Sequence, residues 1–215
     1  MYTHKILCTG FFVLLLLALC TLPVLAYSPE AADQYAAGNA LMKNKNYTRA
    51  IDAYNEAITL EPDYYEAWNG KADGLNRAQR FTEALAASDK TLALNPDYVQ
   101  GWINRGYILY NLGRTEDELK AYEKAISINS SSPDAWFNKG YSLAGMKRYE
   151  EAITAFDTVK SLDPSYPNLA ANRRIAEQSR DASIPWYVKN AFTLGIIAFF
   201  AIGALAWIIT VRKEH

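Results

Sequence analysis

Between Tyr27 and Pro185 the sequence has neither cysteine nor histidine. The whole chain of 215 residues holds two of each, and all four sit near its ends: His4, Cys8, Cys20 and His215. This absence excludes much chemistry from the middle of the chain. It can form no disulfide, offers no thiolate nucleophile or imidazole base, and cannot build a zinc site of the usual Cys/His kind. A strong charge of one sign is missing too. The same segment carries 18 Lys and Arg against 22 Asp and Glu, whereas nucleic-acid binders show a marked basic patch, so no nucleic acid is expected as a partner. No phosphate-cradling glycine loop and no triad is present. Catalysis would rest on carboxylates, Ser, Lys or Tyr alone, and acids such as Glu150 and Glu151 read as solvated helix faces. Neither a cofactor nor a metal is expected, and the chain does not read as an enzyme.

Charge is also absent from two long stretches at the ends. After His4 and Lys5, residues 6–19 run without a charge, and Val24-Leu25-Ala26 follows with small residues where a signal peptidase reads. Residues 1–26 therefore read as a secretory signal cut after Ala26, or as an uncleaved signal anchor, since about 20 apolar residues span a bilayer. Leu17-Ala18-Leu19-Cys20 approaches a lipoprotein signal, but the bulky Leu19 stands where a small residue is wanted. Residues 191–211 are charge-free and rich in Ile, Phe, Ala and Leu. At 1.5 Å per residue such a helix covers about 31 Å, the hydrocarbon thickness of a bilayer. Trp186, Tyr187 and Trp207 stand near its two ends, where aromatic rings settle at headgroups, and Arg212 and Lys213 close the chain. A C-terminal transmembrane helix is expected here, followed by a cytoplasmic tail at 212–215, with the middle of the chain outside the cytoplasm. Ala191, Gly195, Gly203, Ala204 and Ala206 are small enough for two such helices to approach, so a weak homodimer is one expected association.

What the middle does contain is a repeat. Trp68, Trp102 and Trp136 lie 34 residues apart, and four units starting at Ala31, Tyr65, Val99 and Pro133 align without insertion. The eighth position reads Gly38, Ala72, Gly106, Gly140, and the eleventh Leu41, Leu75, Leu109, Leu143. The twentieth reads Ala50, Ala84, Glu118, Ala152, and the twenty-fourth Tyr54, Ser88, Tyr122, Phe156. Pro62, Pro96 and Pro164 stand at the thirty-second. Each unit reads as two short helices. Small residues at positions 8 and 20 let the backbones approach, the ring at 24 fills the gap against the next unit, and proline ends the second helix. One helix pair cannot bury its apolar face alone, so neighbours must stack.

These residues resemble the tetratricopeptide repeat throughout 31–166. The resemblance implies an all-α fold, an α-α superhelix or solenoid of four repeats at 31–64, 65–98, 99–132 and 133–166. A capping helix follows at 167–181, with Leu169 and Ala176 on its inner side. The third unit departs from the pattern twice. Its boundary, Asn129-Ser130-Ser131-Ser132, has no proline, and Ser132 is expected to cap the next helix with Pro133 in its first turn. Glu118 replaces a small residue, so either the helices are pushed apart, or the carboxylate turns outward or meets Arg105 or Arg114.

In this family the first helices line a concave groove that binds proteins or peptides. The matching positions hold Tyr35, Asn39, Asn69, Asp73, Asn76, Ile103, Tyr107, Tyr110, Asn111, Phe137 and Tyr141. Asparagines suit pairing with a peptide backbone, and rings supply contact area at low entropic cost. The alternative is that the rings pack on their neighbours. On the groove reading, Tyr107 and Phe137 changed to Ala would weaken capture and leave melting intact. Relatives that grip the C-terminal carboxylate of chaperones use cations where this chain has Tyr35, Asn39, Gln100 and Asn104, or in the next frame Asn69, Asp73, Asp134 and Asn138. Neither set holds such a cation. The function expected is an extracytoplasmic, membrane-anchored scaffold. The alternative is a surface-processed or assembly-subunit protein whose apolar tail is a sorting signal. Asn46 and Asn129 begin glycosylation sequons.

Overall fold

The computed structural model describes residues 27–190 together with Thr193, Ile196 and Ile202. The signal expected at 1–26 and, those three residues apart, the membrane helix expected at 191–211 and its tail lie outside the described residues. No helix among the described residues is long and apolar enough to cross a membrane. The described secondary structure is entirely helical: α1 (Pro29–Lys43), α2 (Tyr47–Leu60), α3 (Tyr65–Arg77), α4 (Phe81–Leu94), α5 (Val99–Asn111), α6 (Thr115–Ile128), α7 (Pro133–Gly145), α8 (Tyr149–Leu162), α9 (Leu169–Ser183) and the short α10 (Trp186–Lys189). The described residues form two compact units, divided between Asn104 and Arg105.

One turn recurs inside every hairpin. Lys45, Gln79, Gly113 and Lys147 all adopt a left-handed backbone, with φ of 58°, 61°, 69° and 62°. The next amide in each case reaches back to the leucine carbonyl at the eleventh position: Asn46 to Leu41, Arg80 to Leu75, Arg114 to Leu109 and Arg148 to Leu143, each at 2.9 Å. This is a Schellman ending, which satisfies carbonyls that a helix terminus leaves open. Only the third hairpin uses glycine for it.

The link from one hairpin to the next also repeats. The amides of Tyr64, Tyr98, Ser132 and Tyr166 donate to the carbonyls of Glu61, Asn95, Asn129 and Asp163, at 3.1 to 3.3 Å. The indole N–H of the following tryptophan then ties down the turn. Trp68 donates to Pro62 O at 2.9 Å and Trp102 to Pro96 O at 2.7 Å, while Trp136 donates to Ser130 O at 2.8 Å. The turn without proline therefore keeps the same lock. Ser132 caps α7 through Ala135 N at 3.4 Å, with Pro133 in the first turn.

In the N-terminal unit α1 packs on α2, and α3 on both α2 and α4. Ala31, Ala50, Ala57, Ala67, Ala72 and Ala84 are wholly buried, as a close backbone approach requires. The Tyr54 ring lies against Gly38 of its own hairpin and Gly70 of the next; a Cβ at either glycine would come within 2.5 Å and 2.6 Å of it. In the C-terminal unit α7 packs on α6 and α8, and α9 packs on α8. Its core holds Leu119, Leu143, Ala152, Ile153, Phe156 and Val159, closed by Leu169 and Ala176 of α9. Arg173 on the outer side of α9 holds Asp157 at 2.7 Å and Glu177 at 2.6 Å. These exposed pairs add little stability, roughly 0 to 1 kcal/mol each.

Candidate functional site

In the N-terminal unit, most groove positions are already engaged. Tyr35 is half-buried, with its ring 5.1 Å from Tyr64 and 5.9 Å from Tyr54. Tyr27 stacks on the other partner, Tyr64, at 3.8 Å, and burial pushes both phenols up to about 12. Asn39 accepts a 2.8 Å hydrogen bond from Tyr54 Oη. Asn69 is buried and accepts from Asn104 Nδ2 at 2.9 Å. Asp73 is held by Arg77 at 2.9 Å. Asn76 and Ile103 are buried.

The C-terminal unit differs. Tyr107, Tyr110 and Tyr141 remain 46%, 45% and 49% exposed. Tyr107 and Tyr110, one turn apart on α5, are nearly parallel with centroids 6.4 Å apart. Tyr141 of α7 meets Tyr110 edge-on at 6.2 Å. The charge that would develop on Tyr141 is the leading cause that raises the Tyr110 pKa. Asn111 is half-buried. Phe137 departs from this group. It packs on Phe156 at 5.6 Å and Tyr166 at 4.9 Å, against the core. Its loss is expected to disturb folding, which sets Phe137 apart from Tyr107 in the double change expected to leave melting intact.

Glu118 lies beneath the tyrosines, and two of its expected exits, outward and Arg114, are closed. It does not turn outward: the residue is 2% exposed. It does not pair with Arg114, whose guanidinium holds Asp117 at 2.6 Å. Burial pushes its pKa up, opposed only by the nearby Ser142 hydroxyl, which is itself buried and lies outside good hydrogen-bond geometry. Among the described residues no cation figures among the causes of that shift. Nor are the helices forced apart, because a Cβ on Gly106 would collide with Cε1 of Tyr122. The close contact seen elsewhere is kept, so the carboxylate is accommodated by a hollow instead.

That hollow has a volume of about 270 Å³ and is lined by Tyr107, Tyr110, Glu118, Tyr122, Phe137, Asn138 and Tyr141. A second cleft of about 1060 Å³ shares Tyr110, Glu118 and Tyr141 with it and extends past Glu116 and Ser142 to Asn172, Ile175 and Ser179 of α9. The smaller volume fits one side chain and the larger a short peptide segment. The α9 residues carry no groove signal in the sequence, where Glu118 reads as a packing anomaly. The signal that could have found the site was the glutamate at a position otherwise held by alanine, in the same unit as the paired tyrosines. Among the described residues no group of His, Cys, Asp and Glu is placed to hold a metal.

Comparison with known proteins agrees with this architecture. A tetratricopeptide-repeat model matches residues 35–90 and 77–133, and a second matches 133–166. The matches cover more than half of the chain, which belongs to the tetratricopeptide-repeat family. None of the curated proteins matches it in sequence. Among solved structures, a thermophilic tetratricopeptide-repeat protein of Thermus thermophilus superposes with a TM-score of 0.65 at 15% identity, covering 70% of this chain and 82% of its own. YrrB, a tetratricopeptide-repeat protein with an unusual peptide-binding site, gives 0.55 at 21%, covering 71% and 79%. The first such domain of Spaghetti, bound to the HSP90 peptide SRMEEVD, gives 0.53 at 22%, covering 58% and 98%. At these identities the likeness establishes the fold.

Proposed function

We propose that this chain is a membrane-anchored adaptor that captures a protein or peptide through the tyrosine-lined side of its C-terminal unit, and that it acts by binding, not catalysis. One observation carries the reading: three tyrosines stay about half exposed, with Tyr107 and Tyr141 ranged beside Tyr110, and border a hollow large enough for a peptide side chain. Rings of this kind dominate binding energy at protein interfaces. Two solved proteins of the same fold, YrrB and the Spaghetti domain, are described with a peptide-binding site or a bound peptide, which supports a peptide or protein ligand here. The peptide in the Spaghetti complex is acidic near its end. The matching frames here offer Asn39 and Asn104 without a cation, so an acidic tail is not the ligand expected.

The anchoring and the placement outside the cytoplasm rest on sequence, on the apolar runs at 6–19 and 191–211. In intact cells, added protease should digest the bulk of the chain. Protection until lysis would reverse the orientation. For the binding face, a photo-crosslinking residue placed at Tyr107 or Tyr141 in native membranes should give discrete adducts, and one at Lys124 should not. Equal adducts from Lys124, exposed on α6, would remove the assignment.

A further inference from the structure

We propose that Tyr107, Tyr110 and Tyr141, together with the carboxylate of Glu118 beneath them, form a receptor for a lysine or arginine side chain of the bound protein. The proposal rests on the protein-binding reading and deepens it. Three observations point to a cation. First, an acid that is 2% exposed has lost most of its hydration without gaining a counterion, an arrangement that is costly unless a positive charge arrives. The fold itself does not ask for it, since Ala50, Ala84 and Ala152 occupy the same place in the other hairpins and are wholly buried. Second, tyrosine faces attract cations within about 6 Å of the ring centroid. Here the centroids are 6.4 Å and 6.2 Å apart around a hollow of about 270 Å³, the scale of one side chain.

Third, four cations of the same unit are used elsewhere, and none of them figures among the causes of the Glu118 shift. Arg114 holds Asp117 at 2.6 Å, Arg148 holds Glu151 at 2.6 Å, and Lys120 lies 3.5 Å from Asp117. Lys139, on the same helix as Tyr141, is drawn to Glu123 at 3.0 Å and lies over Trp136. The receptor is therefore left for a cation from outside. The wall of the adjoining cleft carries Glu116 and Arg148; with Arg148 neutralised by Glu151, Glu116 adds negative charge where the rest of a basic segment would run. A phosphorylated or acidic side chain would meet repulsion at both places.

The experiment uses the full-length protein in detergent micelles. Three fluorescent decapeptide pools share randomised neutral positions and differ only at the centre, which is lysine, acetyl-lysine or glutamate. Anisotropy should show the lysine pool binding at least tenfold more tightly than the acetyl-lysine pool, with the glutamate pool weakest. Glu118→Gln, nearly isosteric, should bring the lysine and acetyl-lysine pools together while its circular dichroism matches the wild type. Tyr110→Leu should narrow the preference several-fold. If wild type binds the lysine and acetyl-lysine pools alike, or Glu118→Gln keeps the preference, the cation receptor is wrong and the binding groove stands. If no pool binds, the groove reading falls and the receptor with it.

Discussion

Tyr35 of the N-terminal unit and Phe137 of the C-terminal unit hold the fifth position of their hairpins and are treated alike. Tyr35 meets Tyr64 at 5.1 Å and 43°, and Phe137 meets Tyr166 at 4.9 Å and 39°. Four positions further on the units part. Asn39 and Asp73 stand there in the N-terminal unit, satisfied by Tyr54 and Arg77, while Tyr107 and Tyr141 stand there in the C-terminal unit and remain open to solvent. Two kinds of groove residue therefore exist. At Tyr35 and Phe137 the fifth position belongs to the wall, covered by the last ring of its own repeat. The ninth is engaged in the N-terminal unit and open in the C-terminal unit, which alone fills it with rings.

The largest expected effect tests that division. Tyr35→Ala and Phe137→Ala should each destabilise by about 2–3 kcal/mol, near the low end for losing a packed ring, whereas Tyr107→Ala should change stability by less than about 0.5 kcal/mol. Urea melts of the three variants decide it. A Phe137→Ala melt that overlays the wild type would erase the difference between the positions. The next effect compares the eighth position. Gly106 faces the buried ring of Tyr122, whereas its counterpart Ala72 shares its hairpin with the small Ser88 at the twenty-fourth position. Gly106→Ala should cost about 2 kcal/mol from overpacking. A small loss would mean that the Tyr122 ring can move aside, and with it the floor of the hollow.

Much of the fold could be read from the residues because its determinants repeat. The spacing of Trp68, Trp102 and Trp136, and of Gly38, Gly106 and Gly140 opposite Tyr54, Tyr122 and Phe156, is a local pattern with a single packing solution. In the sequence proline marks the turns, yet the interaction common to three of them is the tryptophan indole on a backbone carbonyl, which survives when Ser130 replaces proline. The ring at the twenty-fourth position was expected to pack on the next unit. Tyr54 does so at Gly70, but it packs on Gly38 of its own hairpin as well. The candidate site was less readable. Membership of the groove follows from helical periodicity, but whether a side chain is free depends on which neighbour covers it. Nothing local in the sequence announces that Tyr166 reaches Phe137 or that Tyr54 occupies Asn39.

The corresponding twenty-fourth position supplies a gain in place of a loss. Ser88 stands where Tyr54, Tyr122 and Phe156 stand elsewhere, is 1% exposed, and its hydroxyl has no hydrogen-bond partner. Ser88→Ala removes an unsatisfied buried group and should stabilise by about 1 kcal/mol, seen as a higher urea midpoint with an unchanged slope. A loss of stability would show that the hydroxyl is satisfied after all, and that this hairpin has no weak point the others lack.

The smallest effect concerns the twentieth position, and its pH dependence matters more than its size. Burial raises the Glu118 pKa in the folded chain above its unfolded value of about 4.3. Between the two values the native state binds more protons than the unfolded state, so native stability falls as pH rises through that window. The penalty is complete above the folded pKa and absent below the unfolded one. Glu118→Gln has no charge to desolvate, so without ligand it should melt slightly above the wild type at neutral pH. The gap should close as the pH is lowered toward the unfolded value. The other carboxylates titrate equally in both proteins and cancel in the difference. A gap that stays constant with pH would mean that the carboxylate is hydrated in the folded state. The contrast with Ala50, Ala84 and Ala152 would then be one of volume alone, and the hollow under the tyrosines would hold no charge waiting for a partner.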